Sequence, residues 1–216
     1  MSRKTFQRLP EDARRLELLE ATLACIGEDG LNGASARKIA ERAGVTAGLI
    51  RHYFGSKEEM LRAAYAHLMT QLTGQAEAVA QTRALTPAQS LAGFISANLM
   101  RPNLSARKVS LWSTFIGRVE HEPGYSQIHR ASYQEFLDLL ATLIRDARHA
   151  CELPHDAPLC HDLAIALNGL IDGLWIEGSL DHGIYDPERL PLIALQAAEG
   201  LLHLPKDSLT QHQIAS

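Results

Sequence analysis

Residues 35–57 read SARKIAERAGVTAGLIRHYFGSK, and the spacing of apolar residues in this stretch predicts two short helices joined by a tight turn. Gly44 occupies the turn, where a glycine can adopt the left-handed backbone conformation that ends a helix. Ser35 and Thr46 precede the two helices and are expected to cap them, since a hydroxyl can accept a hydrogen bond from an amide of the first turn. The stretch is therefore predicted to form a helix-turn-helix.

The side chains of this motif divide into an inward and an outward set. The residues expected to face inward are Ile39, Ala40, Val45, Ile50, Tyr53 and Phe54. The outward residues around the second helix are Thr46, Ala47, Gly48, Leu49, Arg51 and His52. They are small, polar or basic, as in helices that enter the major groove of DNA by their N-terminal turns. An ordinary helical hairpin in an all-α core would also explain the glycine, but it accounts less well for this combination of residues.

Residues 12–61 resemble the DNA-binding domain of the TetR family of bacterial transcriptional repressors. The matching residues are a first helix that ends near Gly30, the segments Ile39-Ala40-x-x-Ala43-Gly44-Val45-Thr46-x-Gly48 and Tyr53-Phe54-x-x-Lys57, and Leu61. The resemblance implies a three-helix DNA-binding domain, a homodimer, and a palindromic double-stranded operator that is released when a small molecule binds. Many family members carry an aromatic residue where this chain has Arg51, so whether Arg51 contacts a base or a phosphate stays open.

Lys57 lies in an unusual place for a cation. Ser56 and Glu59 are predicted to form a capping box at the start of the next helix. A positive charge in the first turn of a helix is unfavourable, and a DNA phosphate nearby would compensate for it, as the resemblance also implies; a solvated lysine is the alternative. The predicted DNA-binding residues are Ser35, Arg37, Thr46, Ala47, Gly48, Leu49, Arg51, His52, Tyr53 and Lys57.

The charge of the chain is distributed unevenly. Residues 1–60 hold 10 Lys and Arg against 9 Asp and Glu, and residues 61–216 hold 11 against 16, for a net charge of −4. A basic end and an acidic body fit DNA binding by residues 1–60 and a different partner for residues 61–216. The N-terminus lacks the pattern of a signal peptide, and no apolar run approaches the ~18 residues of a membrane span. We therefore expect a cytoplasmic protein with three reduced cysteines.

The rest of the sequence is predicted to be helical, which gives an all-α fold. The predicted helices span residues 11–29, 56–81, 86–100, 105–119, 125–150, 159–177 and 186–203, between a basic arm at 1–10 and a tail at 205–216. The first helix is expected to face the helix-turn-helix through Leu16, Leu19, Leu23 and Ile26. The last two long helices are apolar on more than one side, which indicates a second subunit as well as a core. The family resemblance implies that these helices form the dimer interface.

The C-terminal body contains Trp112-x-x-Phe115, His121-x-Pro123 and Leu170-Ile171-Asp172-Gly173-Leu174-Trp175, and the helix-turn-helix contains Gly48-x-Ile50-x-His52-Tyr53-Phe54. These segments resemble the BetI-type, choline-responsive branch of the same family. A quaternary ammonium ion cannot donate hydrogen bonds, so it is held by aromatic faces and a nearby carboxylate. Tyr125 and Glu120 are further candidates, and plain core packing is the simpler explanation for any single aromatic residue. The predicted ligand-binding residues are Trp112, Phe115, Tyr133, Asp172 and Trp175.

The sequence is open to three alternative interpretations, and it predicts no cofactor. Ser35 and Lys38 have the Ser-x-x-Lys spacing of penicillin-binding proteins, but the accompanying motifs of that enzyme class are missing from the sequence. A metal sensor would use residues that crowd one region: His149, Cys151, His155, Cys160 and His161. Their spacing is looser than in most structural zinc sites. A purely structural helical dimer would bind DNA weakly and without sequence preference.

Overall fold

A computed structural model describes residues 11–80, 82, 84–180 and 183–212 of the chain. Over those residues the chain is helical, without a strand, which confirms the all-α prediction. The helices are α1 Glu11–Gly33, α2 Ala36–Arg42, α3 Ala47–Phe54, α4 Lys57–Ala80, α5 Pro87–Asn98, α6 Ala106–Val119, α7 Pro123–Ala150, α8 Ala157–Ser179 and α9 Leu190–Leu201, followed by a short 3₁₀ helix at Thr210–His212.

The helix-turn-helix forms at α2 and α3. The Ser35 hydroxyl accepts a hydrogen bond from the Lys38 amide at 3.3 Å, as predicted for a cap. Gly44 has a φ of 65°, which is the left-handed conformation that the turn requires. Thr46 stands at the cap position of α3, but its side chain makes no capping hydrogen bond, so that part of the prediction is wrong.

Helix α1 packs on this motif through a narrower face than expected. Leu19, Leu23 and Ile26 are buried, whereas Leu16 is 48% exposed and does not face the motif. Successive residues of a helix are about 100° apart, so Leu16 lies roughly 200° around the axis from the fully buried Leu18. The three-residue spacing of Leu16 and Leu19 therefore led to the wrong prediction that Leu16 faces the helix-turn-helix.

Two hydrophobic cores share helix α4. Its first half, from Met60 to Met69, packs in the N-terminal core with α1, α2 and α3. Its second half contributes Ala76 to the C-terminal core of α5, α7, α8 and α9. The N-terminal core also contains Leu111 and Phe115 from α6 and Tyr125 from α7. Helices α6 and α7 therefore contact the DNA-binding unit as well as the body.

Two helix starts in the C-terminal body differ from the prediction. Pro123 begins α7 instead of marking a break, because a proline is well suited to the first turn of a helix, where its missing N–H has no partner. Helix α9 begins at Leu190, and residues 187–189 form a turn before it. Pro191 fits only in the first turn, since the ring of a proline clashes further along a helix. The second proline therefore sets the start of α9.

Residues 205–212 pack on the body and are not a loose tail. Leu209 is fully buried. The buried Glu199 carboxylate accepts hydrogen bonds from the backbone amides of Asp207, Leu209 and Thr210 at 3.1, 2.8 and 2.9 Å. Burial raises the pKa of Glu199, but the amide hydrogen bonds outweigh it and hold that pKa below its ordinary value. Glu199 thus secures the chain after α9.

Helix α8 is more apolar than its sequence pattern predicted. Its 23 residues include a window of mean hydropathy 1.3, which is long and apolar enough for a membrane span by length and composition alone. The core helix of a soluble protein passes the same test, and α8 packs against α7 and α9. Only 28% of the window is buried within the single chain. Part of the apolar surface of α8 is therefore uncovered in the single chain, including Ile165, which is 50% exposed.

Candidate DNA-binding surface and ligand cavity

Helix α3 presents the predicted DNA-binding residues on its outer side. Ile50 and Phe54 are buried beneath it and fix its orientation. Thr46, Ala47, Gly48, Arg51 and His52 are exposed, and Leu49 and Tyr53 are half-buried. On the neighbouring elements, Arg37 of α2 and Lys57 of α4 are exposed and Ser35 is half-buried. The predicted basic arm at 1–10 lies outside the described residues.

The basic residues of this surface fall into two groups. Lys38 forms an ion pair with Asp29 at 3.1 Å, and Arg42 is paired with Glu28. Arg37, Arg51 and Lys57 have no carboxylate partner in the described part of the chain. Among the described residues of this surface, these three cations are available for contacts with phosphate or base atoms.

The start of α4 is held by half of the predicted capping box. The Ser56 hydroxyl accepts from the Glu59 amide at 3.1 Å, as expected. The Glu59 carboxylate accepts from the Ser56 hydroxyl at 3.2 Å, while the Ser56 amide donates to the Phe54 carbonyl instead. Lys57 stands exposed beside this cap, in the first turn of α4.

A cavity of about 60 Å³ lies in the body between α4, α6, α7 and α8. A space of that size exceeds the ~10–15 Å³ that one water needs. Four of the five predicted ligand-binding residues line it, together with residues that the sequence analysis did not identify. The lining consists of Met69, Leu72, Thr73, Asn98, Asn103, Trp112, Ser132, Tyr133, Phe136, Asn168, Ile171, Asp172 and Trp175.

Two tryptophans form a corner of the cavity. Trp112 and Trp175 meet edge to face, with ring centroids 5.9 Å apart and an interplanar angle of 87°. The indole N–H of Trp175 donates to the Asn103 carbonyl at 2.9 Å, which fixes the ring while leaving its faces apolar. Perpendicular aromatic faces of this kind are suited to a cation without hydrogen-bond donors.

Asp172 is the charged residue of the cavity lining, as far as the described residues go. Its carboxylate accepts from the Tyr133 hydroxyl at 3.3 Å and from the Asn168 amide at 3.1 Å. Burial raises the pKa of Asp172, and these two hydrogen bonds lower it in part. Burial and the nearby carboxylate also raise the pKa of Tyr133. A carboxylate removed from water in this way gains from a cation nearby.

Phe115 does not line the cavity. It is fully buried in the N-terminal core, where its ring stacks on Tyr65 with centroids 5.0 Å apart. Phe115 lies three residues after Trp112, about 60° around α6, and this offset places its ring in the N-terminal core, whereas Trp112 packs against both cores. The other candidates also lie elsewhere: Tyr125 donates to Glu58 at 2.8 Å, and the Glu120 side chain is 85% exposed.

Two lining residues that were missed follow the helical spacing of predicted ones. Phe136 is three residues beyond Tyr133 on α7, and Asn168 is four residues before Asp172 on α8. Residues at these separations share a face of a helix, so the sequence contained the signal. Asn103 lies in the segment between α5 and α6, for which helical spacing gives no signal.

The possible metal ligands do not converge. Within the part of the chain that the structure describes, no group of three or more His, Cys, Asp or Glu side chains is placed to hold a metal ion. His149 and His155 stack edge to face at 4.7 Å, and the His155 Nδ1 lies 2.9 Å from the Leu153 carbonyl oxygen. Cys160 is buried.

Family models match both the N-terminal and the C-terminal part of the chain. Residues 18–64 match the model of bacterial regulatory proteins of the tetR family, and residues 87–203 match that of the C-terminal domain of BetI-type transcriptional repressors. The HTH-type transcriptional regulator BetI of Stenotrophomonas maltophilia (strain R551-3) is 33% identical over 85% of this chain and 90% of its own length.

Solved structures share the fold. A candidate transcriptional regulator from Pseudomonas aeruginosa PAO1 is 30% identical and superposes with a TM-score of 0.79 over 91% of this chain and 93% of its own. A candidate regulator from Saccharomonospora viridis, solved in complex with choline, superposes with a TM-score of 0.71 at 20% identity, over 86% of this chain and 94% of its own.

Proposed function

Because the chain belongs to the TetR family of bacterial regulators and carries a BetI-type C-terminal domain, we propose that it is a repressor controlled by choline or a related quaternary ammonium ion. Residues 1–60 would bind a palindromic operator, and residues 61–216 would bind the ligand and form a homodimer. The protein would act in the cytoplasm, where its operator is found. Its relatives are regulators, and the proposal requires no catalytic step.

The DNA-binding half of the proposal rests on the outer side of α3. Its exposed residues are small or basic, and Arg37, Arg51 and Lys57 carry charges that no carboxylate of the described chain neutralises. Phosphate contacts supply most of the affinity, whereas base contacts supply sequence preference. One such helix reads only a few base pairs, so two subunits are needed for half-sites about one helical turn apart.

The proposed dimer interface is the uncovered apolar surface of α8 and α9. Only 28% of the apolar window of α8 is buried within the chain. Ile165 of α8 is 50% exposed and Ile193 of α9 is 39% exposed. A second copy would bury these aliphatic side chains, which is favourable by about 25 cal/mol per Å² of apolar surface. Sedimentation of the wild type and of Ile165→Asp tests this point, and a monomeric wild type at micromolar concentration would contradict it.

The observation that carries the ligand proposal is a half-buried carboxylate among aromatic rings. Asp172 lies in the cavity with Trp112, Tyr133 and Trp175. A quaternary ammonium ion would place its charge beside Asp172 and its methyl groups against the rings. Each desolvated cation–π contact contributes roughly 0.5–2 kcal/mol. The choline complex of a protein with the same fold supports the same chemistry.

Intrinsic fluorescence gives a direct test, because the chain has two tryptophans and both line the cavity. Titration with choline is expected to change their emission in a saturable way. The neutral isostere 3,3-dimethylbutan-1-ol, which has the same shape without the charge, is expected to bind at least about tenfold more weakly. Unit charges about 5 Å apart interact by roughly 3 kcal/mol at an effective dielectric constant of 20, which is more than this difference requires.

The matched variant is Asp172→Asn, which keeps the shape of the side chain and removes its charge. We expect this variant to bind choline more weakly than the wild type and to lose most of the preference for choline over the neutral isostere, with the cation–π contacts retaining the remainder. Operator binding by the wild type should weaken about 5- to 150-fold at saturating choline, the usual range of such coupling. Equal affinity of the wild type for the charged and neutral compounds would refute the choice of ligand and leave the DNA-binding half standing.

A further inference from the structure

A continuous row of side chains connects Asp172 in the ligand cavity with Tyr65 in the first half of helix α4. Asp172 of α8 accepts from the Tyr133 hydroxyl of α7 at 3.3 Å. The Tyr133 ring lies on the His129 ring, one turn earlier in α7, with centroids 4.3 Å apart. His129 Nδ1 lies 2.9 Å from the Tyr65 hydroxyl of α4. We refer to Asp172, Tyr133, His129 and Tyr65 as the aromatic relay.

The far end of the relay lies in the core of the DNA-binding unit. Tyr65 is fully buried, and its ring contacts Phe115 at 5.0 Å and Tyr125 at 5.8 Å between centroids. These residues belong to the same core as Ile50 and Phe54, which seat α3. A displacement of Tyr65 therefore acts on the packing beneath the proposed recognition helix.

Close packing couples the positions of the side chains in the aromatic relay. Protein interiors have few voids into which a displaced ring can move, so a shift of one packed ring displaces its neighbours. Tyr133 is the shared member, since its hydroxyl contacts the cavity carboxylate and its ring contacts His129. A cation that approaches Asp172 competes for the oxygen to which Tyr133 donates.

We propose that His129 and Tyr65 are positioning residues that convert occupation of the cavity into a change of operator affinity. This inference rests on the proposed function, because it takes the cavity as the inducer site. Neither residue lines the cavity, so neither needs to contribute to ligand affinity. The hydrogen bond between the Tyr65 hydroxyl and His129 joins α4 to α7. The conservative substitution Tyr65→Phe removes this one contact.

A second set of contacts fixes α4 to the body without entering the relay. Asn103 donates to the Leu72 carbonyl at 3.0 Å, and the Lys108 ammonium donates to the Gln71 carbonyl at 3.3 Å and to Asn103 Oδ1 at 2.7 Å. These bonds hold α4 two turns beyond Tyr65. They connect to the cavity through the Trp175 bond to the Asn103 carbonyl. The experiment must therefore separate the relay from general attachment of α4.

The test compares two variants that each remove one buried hydroxyl. Tyr65→Phe keeps the stacked ring and removes the bond to His129. Tyr125→Phe removes a hydroxyl that also bonds to α4, at Glu58, but has no contact with the cavity. Choline affinity is measured by tryptophan fluorescence, and operator affinity by fluorescence anisotropy with and without saturating choline.

We expect both variants to bind choline within about twofold of the wild type. The wild type and Tyr125→Phe should show the same choline-induced weakening of operator binding. In Tyr65→Phe that weakening should fall to less than a third of the wild-type ratio. A wild-type ratio in Tyr65→Phe would overturn the proposal, and so would an equal loss in Tyr125→Phe, since general attachment of α4 would then explain both.

A ligand-free measurement decides the matter even if choline is not the inducer. Operator affinity is determined for Asp172→Asn, Tyr65→Phe and the double variant without any ligand. The relay predicts that their effects are non-additive by about threefold or more, as for coupled residues. Additive effects of these two residues would refute the relay. Absence of choline binding by the wild type, with non-additive effects retained, would refute only the proposed inducer.

Discussion

Replacement of Lys57 by glutamine should change how operator binding depends on salt. Each phosphate neutralised by the protein releases counterions, so the slope of log K against log[salt] is about −0.9 per phosphate contact. Lys57 is exposed and without a carboxylate partner among the described residues, so it is expected to contribute one contact per subunit. A dimer of Lys57→Gln would lose two contacts, and the slope should become less negative by about 1.8.

Lys38→Gln is the matched control, because Lys38 lies on α2 of the same unit and is already paired with Asp29 at 3.1 Å. Its removal should change the slope by less than half as much. Fluorescence anisotropy with labelled operator between about 50 and 200 mM KCl measures both slopes. An equal change in the two variants would refute the assignment, since it would show that the internal ion pair does not decide which cations meet phosphate.

Two further predictions concern stability and are checked by urea or thermal denaturation. Glu199→Gln should lower the free energy of unfolding by about 2 kcal/mol or more, because the amide NH₂ cannot accept from a backbone N–H and leaves it unpaired. Since the folded pKa of Glu199 is depressed, its contribution is complete above the unfolded pKa and is lost as pH falls through the folded value. The variant should lack that part of the acid sensitivity, and an unchanged pH profile would contradict the role of Glu199. Gly44→Ala should destabilise by about 1–2 kcal/mol because φ is 65° there. Gly74→Ala, in the interior of α4 where an added Cβ would meet no atom within 4 Å, should instead stabilise by about 0.5–1 kcal/mol. The same sign for both glycine variants would show that backbone conformation is not the cause.

The helix-turn-helix could be predicted because its signals are local. Gly44 requires a particular backbone conformation, and Ser35 caps the next turn through its own side chain. Ile39 and Ile50 are buried at the spacing that packs two short helices together. None of these features depends on distant parts of the chain, so a single sequence contains enough information to place them.

The cavity could be predicted only in part, because its residues come from several helices. Trp112, Tyr133, Asp172 and Trp175 meet there as expected, but Phe115 points to the other core. Both faces of α6 are covered, one by each core, so apolar spacing cannot show which aromatic ring faces which partner. That choice depends on tertiary packing.

The ends of the last helices were missed for a related reason. Residues 205–212 have no strong helical pattern, and their order comes from the Glu199 carboxylate in another element. The start of α9 depends on a competition between two nearby prolines, and only the packed structure shows that Pro191 decides it. Contacts between elements, rather than local preference, set these boundaries.

The division of α4 between two cores limits where this protein can be cut and joined to another. An exchange of DNA-binding units at residue 60 would leave Leu111, Phe115 and Tyr125 facing a foreign surface. A functional chimera would therefore have to transfer the matching faces of α6 and α7 together with the first half of α4. The same sharing predicts a single cooperative melting transition, in which a ligand bound to the body protects the operator-binding end from proteolysis as well.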